Sequence, residues 1–306
     1  MNFFILIIGL IMLVGGAESV VRGSVSLGKK LKISLFAIGV VVVAAGTSLP
    51  ELASCVRSVV SYHPDIATGA IIGSNIANII LIMGATALLC PIRKITQNQI
   101  NQAATNVVIA LGLIMMSLLM IQFNPAFGVV TLILLTLIMV YQVKIGSLNF
   151  SDVEEKGEYS MFISGTLIVI GIILLVYGSK FFVNGAVNIA TAYGIPESVI
   201  GVSLVAFGTS LPELAVGVLS AVRRKVDFAL GNVLGSNIYN VLGVLGISSF
   251  FGRFDFPSHI ANFDLYVMMG VIIFITFYMV AMKKLGRLYG VISLLAYTFY
   301  IGYIYI

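Results

Sequence analysis

Gly46-Thr47-Ser48-Leu49-Pro50-Glu51 recurs unchanged as Gly208-Thr209-Ser210-Leu211-Pro212-Glu213, and each copy interrupts a run that is otherwise almost wholly apolar. A proline and an ionisable glutamate are both costly in the middle of a membrane-spanning helix. The bilayer core has no water to satisfy freed backbone groups or to solvate a charge. The surrounding runs decide the fold class: with 59% hydrophobic and 9% charged residues, the 306-residue chain is too apolar for a soluble domain. It reads as an all-α polytopic membrane protein. The net charge of +5 does not point to nucleic acid, because the basic residues occupy short gaps between apolar runs, where they report orientation.

A helix needs about 20 apolar residues to cross a hydrocarbon core of roughly 30 Å. That ruler predicts ten spans, near 3–21, 33–61, 67–90, 101–121, 125–144, 160–183, 197–222, 228–250, 264–282 and 286–305. The second, third, seventh and eighth carry Gly, Ser, Thr, Asn or Pro interruptions and are expected to be broken. The first run lacks a preceding basic residue and has Glu18 where a signal cleavage site would fall, so it reads as a retained helix. If that helix starts outside, fourteen of the seventeen Lys and Arg face inward, leaving Arg57, Lys180 and Arg253 outside. The asymmetry predicts that both termini are extracellular or periplasmic, in the cell membrane.

Adding 162 to the first copy maps Gly46 onto Gly208, Asp65 onto Asp227, Gly73-Ser74-Asn75-Ile76 onto Gly235-Ser236-Asn237-Ile238, and Asn78 onto Asn240, without a gap. The same offset pairs Gly23 with Gly185, so each repeat holds five spans. Five is odd, so the second repeat enters from the opposite side, giving an inverted repeat with a pseudo-two-fold axis in the membrane plane. The expected division is a first repeat over 1–145 (motif 39–84), a cytoplasmic linker over 146–159, and a second repeat over 160–306 (motif 201–246). The linker acids Asp152, Glu154, Glu155 and Glu158 lack the spacing and turn glycine of an EF-hand. Cys55 and Cys90 have no metal or redox spacing and read as small hydrophobes.

Pro50 cannot donate to the carbonyl of Gly46, nor Pro212 to that of Gly208, so backbone oxygens are freed at mid-membrane. Thr47, Ser48 and Glu51 share a helical face, and Ser74 and Asn78, four apart, form a second oxygen-bearing face. Inverted symmetry brings Thr209, Ser210, Glu213, Ser236 and Asn240 toward them. Such a cluster, without histidine or thiolate, suits hard cations such as calcium. No lysine or arginine lies at similar depth to neutralise the two glutamates. Isolated glycines such as Gly39 and Gly201 need only close helix packing.

The paired Gly-Thr-Ser-Leu-Pro-Glu segments, each followed by Gly-Ser-Asn-Ile and a further Asn, resemble the two alpha repeats of the sodium/calcium exchangers, within the calcium/cation antiporter superfamily. The resemblance implies a secondary antiporter rather than an enzyme. Its partners would be sodium, calcium and the bilayer, with no cofactor, no nucleic acid and no obligate protein partner. It implies calcium between Glu51 and Glu213 with the backbone oxygens of Thr47 and Thr209. Sodium sites would draw on Ala44, Ser48 and Ser74, with Asn78 in support, and on Ala206, Ser210, Ser236 and Asn240. It further implies that the first and sixth helices slide as a unit, with Gly15, Gly16, Gly23, Gly178 and Gly185 keeping their surfaces smooth. Potassium-dependent relatives carry aspartate in place of Asn240, so the amides at 78 and 240 speak against potassium coupling. A proton-coupled calcium antiporter and a cation channel are the rival readings. The proton-coupled branch typically shows Gly-Asn-x-x-Glu, which is absent here.

Overall fold

A computed structural model describes residues 2–148, 158–193 and 206–304, and among these the chain is helical apart from short connecting turns and two isolated bridges. In order come α1 (Asn2–Leu31), the bent pair α2 (Leu35–Thr47) and α3 (Leu49–Val60), α4 (Pro64–Leu89), α5 (Gln97–Leu118), α6 (Pro125–Leu148) and α7 (Met161–Ala192). The second repeat continues with α8 (Ala206–Thr209), α9 (Leu211–Val222), α10 (Val226–Ser248), α11 (Ile260–Met282) and α12 (Arg287–Ile304). Seven of these helices are each long and apolar enough to cross a bilayer, and the bent pair is an eighth span. The predicted seventh span, near 197–222, begins outside the described residues and continues as α8 and α9; α12 is the tenth. Most of the predicted linker, with Asp152, Glu154 and Glu155, also lies outside the described residues, as does Gly201.

The inversion is visible where two repeat counterparts meet. Helices α1 and α7 pack antiparallel along a seam of glycines spaced by seven: Gly9, Gly16 and Gly23 on one, Gly171, Gly178 and Gly185 on the other. A Cβ on Gly16 would sit 2.8 Å from the carbonyl oxygen of Gly171, and one on Gly171 would sit 2.7 Å from that of Gly16. The neighbouring contact joins Gly9 to Gly178, which is the same contact under the 162-residue offset. The half-helix ends repeat as well, with Tyr62 after α3 and Arg224 after α9 both left-handed, at φ 61 and φ 56.

Gly15, expected on this seam, faces open space, while Gly9 and Gly171 complete it. That contrast is testable. Gly16→Ala should lower the thermal midpoint of the detergent-solubilised protein by the cost of parting two backbones, on the order of 1–3 kcal/mol. Gly15→Ala should leave it unchanged or raise it, since alanine favours helix by about 1 kcal/mol. Equal effects would show that the seam tolerates a methyl group.

Two further readings are corrected. Helices α1 and α7 hold 30 and 32 residues, about 45–48 Å at the α-helical rise, so they exceed the hydrocarbon core and must tilt or protrude. Lys180, counted with the outer side and inside the predicted span 160–183, lies within α7, where its exposed ammonium is 5.4 Å from the Tyr177 ring centre. Helices α4 and α10 are not broken. Each instead widens into a π-helical stretch, Asn78–Ile82 and Tyr239–Leu245, which begins within one residue of the motif asparagine. Such bulges keep the helix continuous while redirecting side chains.

Helices α4 and α10 are the most enclosed spans, with 72% and 94% of their apolar windows buried. The others surround them. Reciprocal backbone bonds join Ile92 to Leu285 at one end and Phe123 to Phe254 at the other, tying loops that the charge pattern assigns to the same sides.

Candidate functional site

The helix around the first motif breaks at Ser48 (φ −79, ψ 4), where α2 and α3 meet at 41°. Ser210 breaks the second copy with nearly the same torsions, φ −86 and ψ 2. Pro50 and Pro212 sit at the start of the new half-helix, where the missing N–H costs nothing. The motif glutamate follows within the first turn of each half-helix. The positive end of the helix dipole favours an acid there.

Among the described residues, Glu51 and Glu213 are the only buried acidic or basic side chains, 1% and 0% exposed. They lie close enough to repel each other. The Ser74 hydroxyl donates to Glu51 Oε1 at 3.3 Å and the Ser210 hydroxyl donates to Ser74 Oγ at 3.1 Å. Asn240 Nδ2 donates to the same Ser74 oxygen at 3.2 Å. Thr47 Oγ1 lies 3.4 Å from Ser236 Oγ and donates to Asn232 Oδ1 at 3.3 Å, with a weaker contact of 3.5 Å to the carbonyl of Ala44. Glu51, Ser74, Ser210 and Asn240 thus form one linked group, and Thr47, Ser236 and Asn232 a second. Ala44 and Asn78 are fully buried beside them, and Thr209 is half-buried. Ala206 opens α8, and its side chain lies outside the described residues.

What these groups leave unpaired defines the chemistry. Glu51 Oε2, both carboxylate oxygens of Glu213, Asn78 Oδ1, Asn240 Oδ1 and Ser48 Oγ are buried without a hydrogen bond of ordinary geometry, the Thr47 side chain lying beside Glu213. Native interiors rarely leave so many polar atoms unsatisfied in one place. Six oxygens, two carboxylates among them, match the demands of a hard cation. Among the described residues no group of three or more His, Cys, Asp and Glu gathers, so ligands beyond the two carboxylates would be amide, hydroxyl and backbone oxygens.

Three buried asparagines that contact this centre were not among the expected site residues: Asn75, Asn237 and Asn232. The recurrence of Gly-Ser-Asn pointed to the first two, whereas the counterpart of Asn232 is Ala70, which gave no signal.

The packing around the centre is not symmetric. Helix α1 packs along α9, while α3, the counterpart of α9, makes no comparable packing onto α1 or α7. The α1–α9 seam is fastened by Glu18, which accepts from Arg22 Nε at 2.6 Å and from Arg223 Nη2 at 2.5 Å. The counterparts of Glu18 and Arg223 are Lys180 and Ser61, so this ionic fastening has no equivalent at the other end. The Arg223 end of the α1–α9 seam therefore carries an ionic contact between elements.

The family of sodium/calcium exchanger proteins matches residues 1–144 and 163–306. An uncharacterized membrane protein of Methanocaldococcus jannaschii is 36% identical over 292 residues, covering 95% of this chain and 94% of its own. A sodium/calcium exchanger of Methanosarcina acetivorans, MaX1, is 30% identical over 350 residues, covering 97% and 96%. A solved structure of the sodium-calcium exchanger NCX_Mj superimposes with a TM-score of 0.87 at 33% identity, covering 98% of each chain. The fold is thus that of an integral membrane protein with ten spans in two inverted five-helix repeats. The family match over residues 1–144 and 163–306, with relatives at 30% identity or more over at least 95% of the chain, places it in the sodium/calcium exchanger family.

Proposed function

We propose that this protein is a secondary antiporter that exchanges sodium for calcium by exposing one midplane site alternately to each side of the membrane. The observation that carries this reading is the pair of buried glutamates surrounded by unpaired oxygens. Calcium would lie between Glu51 and Glu213 and take the backbone oxygens of Thr47 and Thr209. Sodium would use Ala44, Ser48 and Ser74 on one side and Ala206, Ser210 and Ser236 on the other, with Asn78 and Asn240 in support. No cofactor and no enzymatic step enters this cycle.

The basic loops, including Arg93, Lys94, Lys283 and Lys284, would face the cytoplasm of a cell membrane, with both termini outside. The linker over 146–159 would then be cytoplasmic, dividing repeats at 1–145 and 160–306. On that orientation the Glu18–Arg223 pair lies on the cytoplasmic side.

The test is uptake of radioactive calcium by proteoliposomes given a sodium gradient, a proton gradient or neither, each with potassium present or replaced by choline. Uptake driven by sodium alone, and undiminished without potassium, is the expected result. Uptake driven only by protons would assign the rival coupling. A strict requirement for potassium would remove the significance given to the amides at 78 and 240.

A further inference from the structure

Four asparagines connect the two repeats at the centre of the molecule. Asn75 and Asn237 are repeat counterparts, as are Asn78 and Asn240, and all four are buried. The first pair is anchored reciprocally to backbone: Asn237 Nδ2 donates to the carbonyl of Asn75 at 3.2 Å, and Asn75 Nδ2 donates more weakly to that of Asn237 at 3.5 Å. A backbone carbonyl only accepts, so the NH2 group of each amide is committed to it and its Oδ1 must point elsewhere. Those two oxygens receive the second pair. Asn240 Nδ2 donates to Asn75 Oδ1 at 3.0 Å and, with its second hydrogen, to Ser74 Oγ at 3.2 Å, and Asn78 Nδ2 donates to Asn237 Oδ1 at 2.9 Å. The remaining amide oxygens, Asn78 Oδ1 and Asn240 Oδ1, are then buried and unpaired.

We propose, on the reading of the midplane as a cation site, that Asn75 and Asn237 are positioning residues that lock the amides of Asn240 and Asn78 with their oxygens, not their NH2 groups, turned to the transported cation. An unrestrained amide beside Glu51 and Glu213 would do the opposite. Its NH2 group would donate to a carboxylate, satisfy it, and compete with the ion for the same oxygen. The backbone anchors remove that alternative. Each bond of the relay crosses from one repeat to the other, so the orientation of an amide in one half is set by the other half.

The experiment is a double-mutant cycle on the purified, full-length protein: Asn75→Ala, Asn240→Ala and both together. The readouts are calcium affinity by equilibrium binding, the sodium concentration that displaces half of the bound calcium, and the thermal midpoint. Each single variant should raise the displacing sodium concentration, corrected for calcium affinity, about tenfold, the cost of one misdirected buried oxygen. The double variant should match Asn240→Ala within about twofold, because with no amide to orient Asn75 has nothing left to do. Losses that multiply to roughly a hundredfold would show that Asn75 acts only through general packing, and would overturn the proposal. Where Asn75→Ala does not fold, Asn75→Ser and the mirrored cycle on Asn237 and Asn78 ask the same question. If the wild type shows no calcium binding that sodium displaces, the transport reading fails. If it binds and the cycle is multiplicative, only the positioning role fails.

Discussion

Glu51→Gln and Glu213→Gln are each expected to lower sodium-driven calcium flux by about a hundredfold or more, while the protein still inserts and folds. Glutamine keeps the shape of the side chain and removes half of the negative charge at the centre. The interaction of a dication with a charge at ligand distance exceeds 3 kcal/mol even with generous screening, and each 1.4 kcal/mol is a factor of ten. Stability should move the other way, most clearly at Glu213. Neither of its oxygens has a hydrogen bond of ordinary geometry, and an uncompensated buried charge is destabilising until a cation arrives. Glu213→Gln should therefore raise the thermal midpoint in cation-free buffer, and calcium should no longer raise it further. Glu51, which accepts from Ser74, should gain less from the same change. Paired flux and melting measurements decide the matter, and normal flux from either well-folded variant would remove both residues from the site.

The repeat, the spans and the oxygen-rich centre were legible because each follows from chemistry local to the chain. A proline and an acid inside an apolar run announce themselves. The misses are the features that depend on what lies across the fold. Ser24, Ser26 and Gly28 look like the start of a loop after the first apolar run. They are buried within α1, which continues to Leu31, and Ser26 accepts from the backbone N–H of Tyr159 at 3.0 Å. The Gly-Ser-Asn segments read as helix breaks, yet their asparagines find partners 162 residues away and the helix passes through as a π-turn. Gly15 is set apart from Gly16 only by falling off the seven-residue spacing of Gly9, Gly16 and Gly23 and by having Tyr177 as its counterpart, a signal that gains meaning once α1 is set against α7. Glu18 and Arg22 pair at a helical spacing of four, whereas Arg223 lies 205 residues from Glu18 and no spacing announces it. That third partner makes an ordinary helical ion pair into a fastening between elements.

Exchange should also move net charge, and the direction follows from the inventory of buried ionisable groups. Glu51 and Glu213 stand alone among the described residues as buried acids, with no buried lysine or arginine to offset them, so the empty site carries at most about two negative charges. One calcium ion cancels them and crosses as a neutral complex. The family resemblance implies enough cation positions for a third sodium ion, and three sodium ions leave one positive charge in excess on the return leg. Work on an elementary charge amounts to roughly 2.3 kcal/mol per 100 mV, which multiplies the equilibrium calcium ratio about fortyfold. With the basic loops inside, an inside-negative potential draws the charged sodium-loaded form inward and so favours calcium leaving as sodium enters. The measurement is calcium flux in proteoliposomes held at defined potassium diffusion potentials with fixed sodium and calcium gradients. A reversal point that shifts by the amount for one charge per cycle is expected. One that ignores voltage would mean that two sodium ions replace each calcium, or that protons share the two carboxylates.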